Sequence, residues 1–290
     1  MNNYFFGFAV LMAAFVSCTK EQIPPGLILH DPIQTVDTTY MTGTIPAAQT
    51  KRILMEEPTG VRCPNCPEGA VLLHDLITTH PGRILSASVY SPFLNEFKTP
   101  AKYNFNTTDA EDLVNFLGGD PSKPTASIDR IPTNYVTPPL PYFFQKADWP
   151  TIVAAELLKT TPVNLELQVI PNGSDYYLKT KLTFTDTITS GLAISVYILE
   201  DGVVDVQEFP SSVIDTAYVH NHILRKMVTP VSGMNFLDSI ATKEKGRVFE
   251  RTFPISIPSN VLNKSNCSLL CFVHRTGSSK TVLQVDEIKL

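Results

Sequence analysis

From Pro162 onward, runs rich in Val, Leu, Ile, Thr and Tyr recur with turns between them, and no amphipathic helix interrupts the series. Val163 to Ile170, Tyr176 to Phe184, Leu192 to Leu199, His220 to Val228, Arg247 to Ile257, Cys267 to His274 and Thr281 to Ile288 read as about seven strands. Asn172-Gly173 joins the first two as a hairpin, because a two-residue turn needs positive φ at both positions. That number and spacing of strands predicts an antiparallel β-sandwich of immunoglobulin-like type.

The pattern before Pro162 is different. Arg52 to Glu57 is a short apolar run that ends at Pro58-Thr59-Gly60, as a buried strand leading into a loop does. Ala70, Leu73 and Ile77 then share one face of a helix that starts at Cys66 and ends at His80-Pro81-Gly82. Ile84 to Tyr90 alternates as a half-buried strand. Thr107 or Thr108 caps a helix carrying Leu113, Phe116 and Leu117, which Gly118-Gly119 ends. Lys123-Pro124 leads into a short strand reaching Asp129, and Trp149 to Lys159 forms a last amphipathic helix. The expected fold class is therefore α/β plus all-β.

At the N-terminus, Tyr4 to Val16 is apolar or small throughout, but its thirteen residues fall well short of the ~20 that span hydrocarbon as a helix. The segment reads as the core of a signal peptide. Phe15-Val16-Ser17-Cys18 resembles the lipobox of bacterial lipoproteins, in which Cys18 becomes the acylated first residue. Thr19 to Thr50, with Pro24, Pro25, Pro32 and Pro46, shows no sustained period and reads as a tether. The expected organisation is a signal peptide over 1–17, lipidated cysteine and stalk over 18–50, an α/β domain over 51–161 and a sandwich over 162–290. Hydrophobic residues make up 43% and charged residues 18% of the 290 positions, which suits a chain with a substantial core. The net charge of -5 leaves no electrostatic footprint for nucleic acid.

The candidate chemistry is Cys63-Pro64-Asn65-Cys66, where a buried strand meets a helix start. Two cysteines at this spacing can close a small disulfide ring, and the unpaired N–H groups of a helix start favour a thiolate. Cys63, nearer the solvent-facing loop, is then the attacking sulfur and Cys66 the resolving one. Pro64 removes a donor that the helix start leaves unpaired anyway.

The stretch Glu56-Glu57-Pro58-Thr59-Gly60-Val61-Arg62-Cys63-Pro64-Asn65-Cys66-Pro67-Glu68-Gly69 resembles the signature of the twenty-eight-kilodalton outer-membrane-protein-related family, a group of thioredoxin-like bacterial lipoproteins. Further matches are Pro124-Thr125, Glu200-Asp201-Gly202, Gln207, the run His220 to Arg225, and Val282-Leu283-Gln284. Pro58 stands where that pattern has an aromatic residue. The resemblance implies a lipid-anchored outer-membrane protein, facing either the periplasm or the cell surface, with a thioredoxin-like first domain. It implies that Pro124 is a cis-proline facing the disulfide and that Glu57 is the buried acid that moves a proton to the inner cysteine. Adjacent Glu56 points to the other face of the strand, and one of the two glutamates is expected to be solvated.

Two functions fit this reading. One is thiol–disulfide exchange on envelope proteins by Cys63, Cys66, Pro124 and Glu57, with no cofactor. The other is a non-catalytic surface lipoprotein that binds a protein or glycan through its sandwich, with Cys63–Cys66 as an inert staple. A zinc site needs two more ligands at suitable spacing, which the sequence does not supply nearby. Cys267 and Cys271 lie ~13 Å apart if extended, so they read as buried small hydrophobes. His220 and His222, on one strand face, read as two partly exposed imidazoles in a sandwich, in preference to a metal set with His274. Trp149 reads as core at the domain junction.

Overall fold

The computed structural model describes residues 36–133 and 141–290. The expected signal segment, Cys18 and the first part of the expected stalk lie outside the described residues. In chain order the described elements begin with β1 (Thr38–Met41), β2 (Ile53–Thr59), α1 (Cys66–Thr79), β3 (Ile84–Tyr90), α2 (Thr108–Phe116), β4 (Thr125–Ile128), β5 (Phe144–Gln145) and α3 (Trp149–Leu157). There follow β6 (Val163–Asn172), β7 (Asp175–Phe184), β8 (Leu192–Glu200), β9 (Val203–Phe209), β10 (Val213–His220), β11 (Ile223–Met227), β12 (Met234–Asn235), β13 (Arg247–Ile255), β14 (Cys267–Arg275) and β15 (Val282–Lys289).

The molecule is mostly β with few helices. The strands order β1-β13-β7-β6 in one sheet and β15-β14-β8-β11-β3-β2-β4-β5 in a second, with β12 beside β8. Apolar residues of β6, β7 and β13 meet those of β8 and β14 between the sheets, with Leu182, Phe184, Val196 and Leu269 all buried there. That is a β-sandwich, and all seven strands expected after Pro162 are present. Cys267 and Cys271 are free and buried in this core, as their apolar surroundings require.

The second sheet does not stop at the expected boundary of 161 and 162. β8 pairs with β11, and β11 pairs in parallel with β3 at Ile223 and Ser88. One apolar cluster accordingly holds Leu54, Val89 and Leu113 together with Tyr197, Leu224 and Phe272. Residues Thr35–Leu290 form one compact unit. The last part of the expected stalk belongs to that unit too. β1 pairs with β13, and the Gln49 N–H donates to Asn164 Oδ1 at 2.7 Å. Backbone groups from Thr38 onward find partners on the sandwich, which holds this segment against it.

β2 is buried along its whole length, and its two glutamates face opposite ways. Neither glutamate is solvated, contrary to the expectation for one of them. Arg130 donates Nε to Glu56 Oε2 at 2.9 Å and Nη2 to Oε1 at 2.7 Å, and the Tyr197 hydroxyl donates to the same Oε1 at 3.0 Å. The Arg130 guanidinium lies 4.8 Å from the centre of the Phe272 ring. A carboxylate can be sealed here because a bidentate cation and a phenol replace its water.

Pro58 lies within β2, and the structure shows why it is tolerated. β4 pairs with β2 only at Met55 and Glu56, so at Pro58 the strand has β3 alone as a neighbour. Trp149 is buried with Ile53, Met55, Leu73 and Ile128, in the core of the first part of the chain and away from the sandwich. Its Nε1 donates to Phe144 O at 3.0 Å.

Arg130→Met is expected to leave Glu56 as an unpaired buried charge and to cost about 3–5 kcal/mol, read from the urea midpoint. Glu56→Leu combined with Arg130→Met is expected to recover most of that loss. A single-variant cost below about 1 kcal/mol would show that the triad is dispensable.

Candidate functional site

β2 ends at Thr59 and α1 begins at Cys66, and the six residues between them carry Cys63. Asn65 is the cap residue, and Pro67 sits at the helix start, where a missing N–H costs nothing. Cys63 and Cys66 are joined as a disulfide, with Cα atoms 5.4 Å apart. The loop is clamped on one side by residues 94 and 95. Arg62 N–H donates to Leu94 O at 2.9 Å, and Val61 N–H donates to Asn95 Oδ1 at 3.2 Å. Gly60 permits this approach, since a Cβ there would sit 2.3 Å from Leu94 O.

Glu57 and Pro124 converge on the first turns of α1. A Cβ on Gly69 would lie 2.8 Å from Pro124 Cβ and 2.9 Å from Glu57 Oε1. Gly69 follows Cys66 by three residues, so the acid and the proline meet α1 within one turn of the inner cysteine. The Lys123–Pro124 peptide is cis. Lys123 is held by Ser91 O and Phe93 O, and burial pulls its ammonium down to about 8. Among the described residues Glu57 Oε1 has no hydrogen-bond partner. Burial pushes the Glu57 carboxyl up to about 8, so it is largely protonated at neutral pH.

The second side of the loop is covered by an element absent from the sequence expectations. β9 and β10 form a two-stranded hairpin, closed by Pro210–Ser212 and separate from both large sheets. Gln207 Nε2 donates to Gly60 O at 3.3 Å and Cys63 O at 3.0 Å, and Glu208 N–H donates to Val61 O at 2.9 Å. Cys63 is only 1% exposed and Cys66 3%. The expectation that Cys63 lies toward solvent is therefore corrected: Cys63 is buried, in a loop held by residues 94 and 95 on one side and by the hairpin on the other. The pattern that signals the hairpin is two apolar-bearing runs, Val203 to Val206 and Val213 to Val219, around Pro210-Ser211-Ser212.

A cavity of about 110 Å³ lies between α1 and the hairpin, lined among others by Glu57, Cys66, Tyr90, Gln207, Tyr218 and His220. His220 Nε2 lies 3.1 Å from Val206 O and its Nδ1 lies 2.6 Å from the Tyr90 hydroxyl. A carbonyl only accepts, so Nε2 carries the hydrogen and Tyr90 donates to Nδ1. Burial holds this imidazole neutral, with its pKa down to about 4.

His220 and His222 do not share a strand face. His220 ends β10, while His222 occupies the following turn at φ 55°. His274 is buried elsewhere, with Nε2 3.0 Å from Ser195 Oγ. No group of three or more metal-ligating side chains occurs among the described residues, and none of their helices is long and apolar enough to cross a membrane.

The fold and this loop define a mostly β protein in which a short disulfide segment is built into the edge of a sandwich-bearing unit. The family described as outer membrane protein Omp28 matches residues 119–290, more than half of the chain, and the protein belongs to that family. Its location is accordingly the outer membrane. The matched stretch includes Pro124 and the β9–β10 hairpin and begins after the cysteine pair.

No curated protein matches the chain. Among solved structures, HBP35 of Porphyromonas gingivalis is similar with a TM-score of 0.61 at 14% identity, covering 84% of this chain and 77% of that one. A structural-genomics protein of Agrobacterium tumefaciens is similar with a TM-score of 0.52 at 11% identity, covering 83% of this chain and 96% of its own. A domain of the outer membrane lipoprotein Omp28 from Porphyromonas gingivalis is 18% identical over 45% of this chain and 88% of its own, with a TM-score of 0.30. The first two likenesses establish a shared fold.

The raised pKa of Glu57 stabilises the folded state fully below its unfolded value near 4.5, and this contribution is lost as pH rises to about 8. The difference in stability between wild type and Glu57→Gln, from urea titrations, is expected to shift against the wild type by up to about 1.4 kcal/mol per pH unit across that window. A constant difference from pH 5 to 8 would show that Glu57 ionises normally. Gly69→Ala is expected to cost about 1–3 kcal/mol by pushing Pro124 and Glu57 apart from α1.

Proposed function

We propose that this protein is a lipid-anchored thiol–disulfide exchange protein of the outer membrane, with a thioredoxin-like arrangement over its first part and an acylated Cys18. The observation that carries the reading is the meeting of Glu57 and the cis-bonded Pro124 at Gly69, one turn from Cys66. In the reduced protein, the Cys63 thiolate attacks one sulfur of a partner disulfide, forming a mixed disulfide and releasing a partner thiolate. Cys66 then attacks Cys63 Sγ, releasing the second partner thiol and restoring the Cys63–Cys66 bond. Two electrons pass to the partner; the ionised fraction of Glu57 takes the proton that Cys66 gives up and returns it to the departing partner thiolate. A carboxyl of about 8 is matched to an ordinary thiol of about 8.5, so the proton moves at little cost in either direction. Pro124 presents backbone groups to the partner chain.

The near-complete burial of both cysteines favours a second reading, a surface lipoprotein that binds a protein or glycan while Cys63–Cys66 serves as a staple. The two readings separate on one experiment. Exchange predicts a reversible Cys63–Cys66 couple in glutathione buffers, insulin reduction that Cys63→Ser abolishes, and partners trapped covalently by Cys66→Ser. Retention of the same partner by a Cys63→Ser, Cys66→Ser double variant, with no reversible couple, would sink exchange in favour of the binding role.

A further inference from the structure

Thiol–disulfide exchange needs a foreign sulfur to reach Cys63 Sγ in line with the bond that breaks, yet Cys63 is 1% exposed and the β9–β10 hairpin is bonded to the loop that carries it. Its hold on the loop is of a particular kind. Gln207 Nε2 and the Glu208 N–H satisfy the carbonyls of Gly60, Val61 and Cys63, supplying the donors that an extended polypeptide offers to a neighbouring chain. Toward its base the hairpin is held more firmly, with Val203 and Val206 buried against Val61, Tyr90 and Phe105 and the Tyr90 hydroxyl donating to His220 Nδ1. Arg62 Nη1 lies 3.9 Å from Glu208 Oε2, and the Asp205 carboxylate accepts from Lys102 N at 3.0 Å and Tyr103 N at 2.7 Å. The hairpin joins neither large sheet, and a lone two-stranded ribbon gains little stability from itself. On its outer side Val204 and Val219 are directly opposed and both exposed. Beside the cysteine turn, Pro64, Pro67 and Val71 line a groove with Phe209 and Pro210 at the hairpin tip.

We infer that the β9–β10 hairpin determines which molecules reach the dithiol: it occupies the place of an extended polypeptide substrate, which enters by displacing Gln207 and Glu208 from the Gly60–Cys63 loop. This rests on the exchange reading and deepens it, since it names a protein segment as the substrate class. Gln207 is a positioning residue here, acting through the loop carbonyls and not on sulfur.

The oxidised full chain is reduced with tris(carboxyethyl)phosphine, which supplies two electrons to the disulfide and becomes its oxide. In the wild type the rate is expected to level off as phosphine concentration rises, because hairpin opening becomes limiting. Gln207→Ala, which removes the amide bonds to both carbonyls, is expected to raise that plateau about tenfold. Rates that stay proportional to phosphine concentration and equal in the two proteins would overturn the gate. If Gln207→Ala does not fold, the wild-type concentration dependence decides alone.

For the substrate class, Cys66→Ser is joined through Cys63 to a cysteine-containing peptide. The Glu208 amide is then expected to lose its protection from hydrogen exchange, and retained protection overturns displacement. A plateau without any insulin reduction would keep the gate and sink exchange. A reversible glutathione couple with proportional phosphine kinetics would do the reverse.

Discussion

Two adjacent carboxylates are buried on opposite faces of β2, and the organisation of the protein follows from how differently each is treated. Glu56 receives the Arg130 guanidinium and the Tyr197 hydroxyl, so both its oxygens are matched. Tyr197 belongs to β8 and Glu56 to β2, so this contact ties the cysteine-bearing part of the chain to the sandwich at full burial. Glu57 receives no partner at Oε1 among the described residues and gives up its charge instead. A single strand thus carries one group that fastens the two parts together and one that is buried without a partner at Oε1 among the described residues.

That fastening makes the second sheet continuous. Because β11 lies between β8 and β3, the parallel strands that hold the cysteine loop are extended by antiparallel strands of the sandwich. The connection between β8 and β11 then has to leave the sheet and return, and it does so as the β9–β10 hairpin. The hairpin lands on the loop because β11 delivers it beside β3, next to Tyr90 and α1. His220 is locked there as a neutral imidazole between Tyr90 and Val206 O, which fixes the base of the hairpin while its tip reaches Pro64 and Pro67.

The consequence is a site with parts from distant segments. Glu57 and Cys66 come from β2 and α1, Pro124 from the turn before β4, and Gln207, Tyr218 and His220 from the hairpin. The Omp28 match covers the last two groups and not the first.

Much of this was legible from residue order, for reasons that are local. The period of Ala70, Leu73 and Ile77 marks α1 because one helix face meets a core, and the runs after Pro162 mark sandwich strands because each buries one face or both. The cysteine spacing permits a disulfide, since one helix start brings both sulfurs within reach. Residue order failed where distant partners decide: one of the two glutamates reads as solvated until Arg130 arrives, and β1 reads as tether until β13 pairs with it. It also failed at Val203 to His220, where His220 looked like the start of a strand that in fact begins at Ile223. Periodicity records which faces are apolar, so the chain alone determined its helices, most of its strands and the nearness of Cys63 to Cys66. Burial of a carboxyl pair, the docking of the β9–β10 hairpin on the cysteine loop and the fusion of two sheets depend on groups far apart in the chain, so only the tertiary structure decided them.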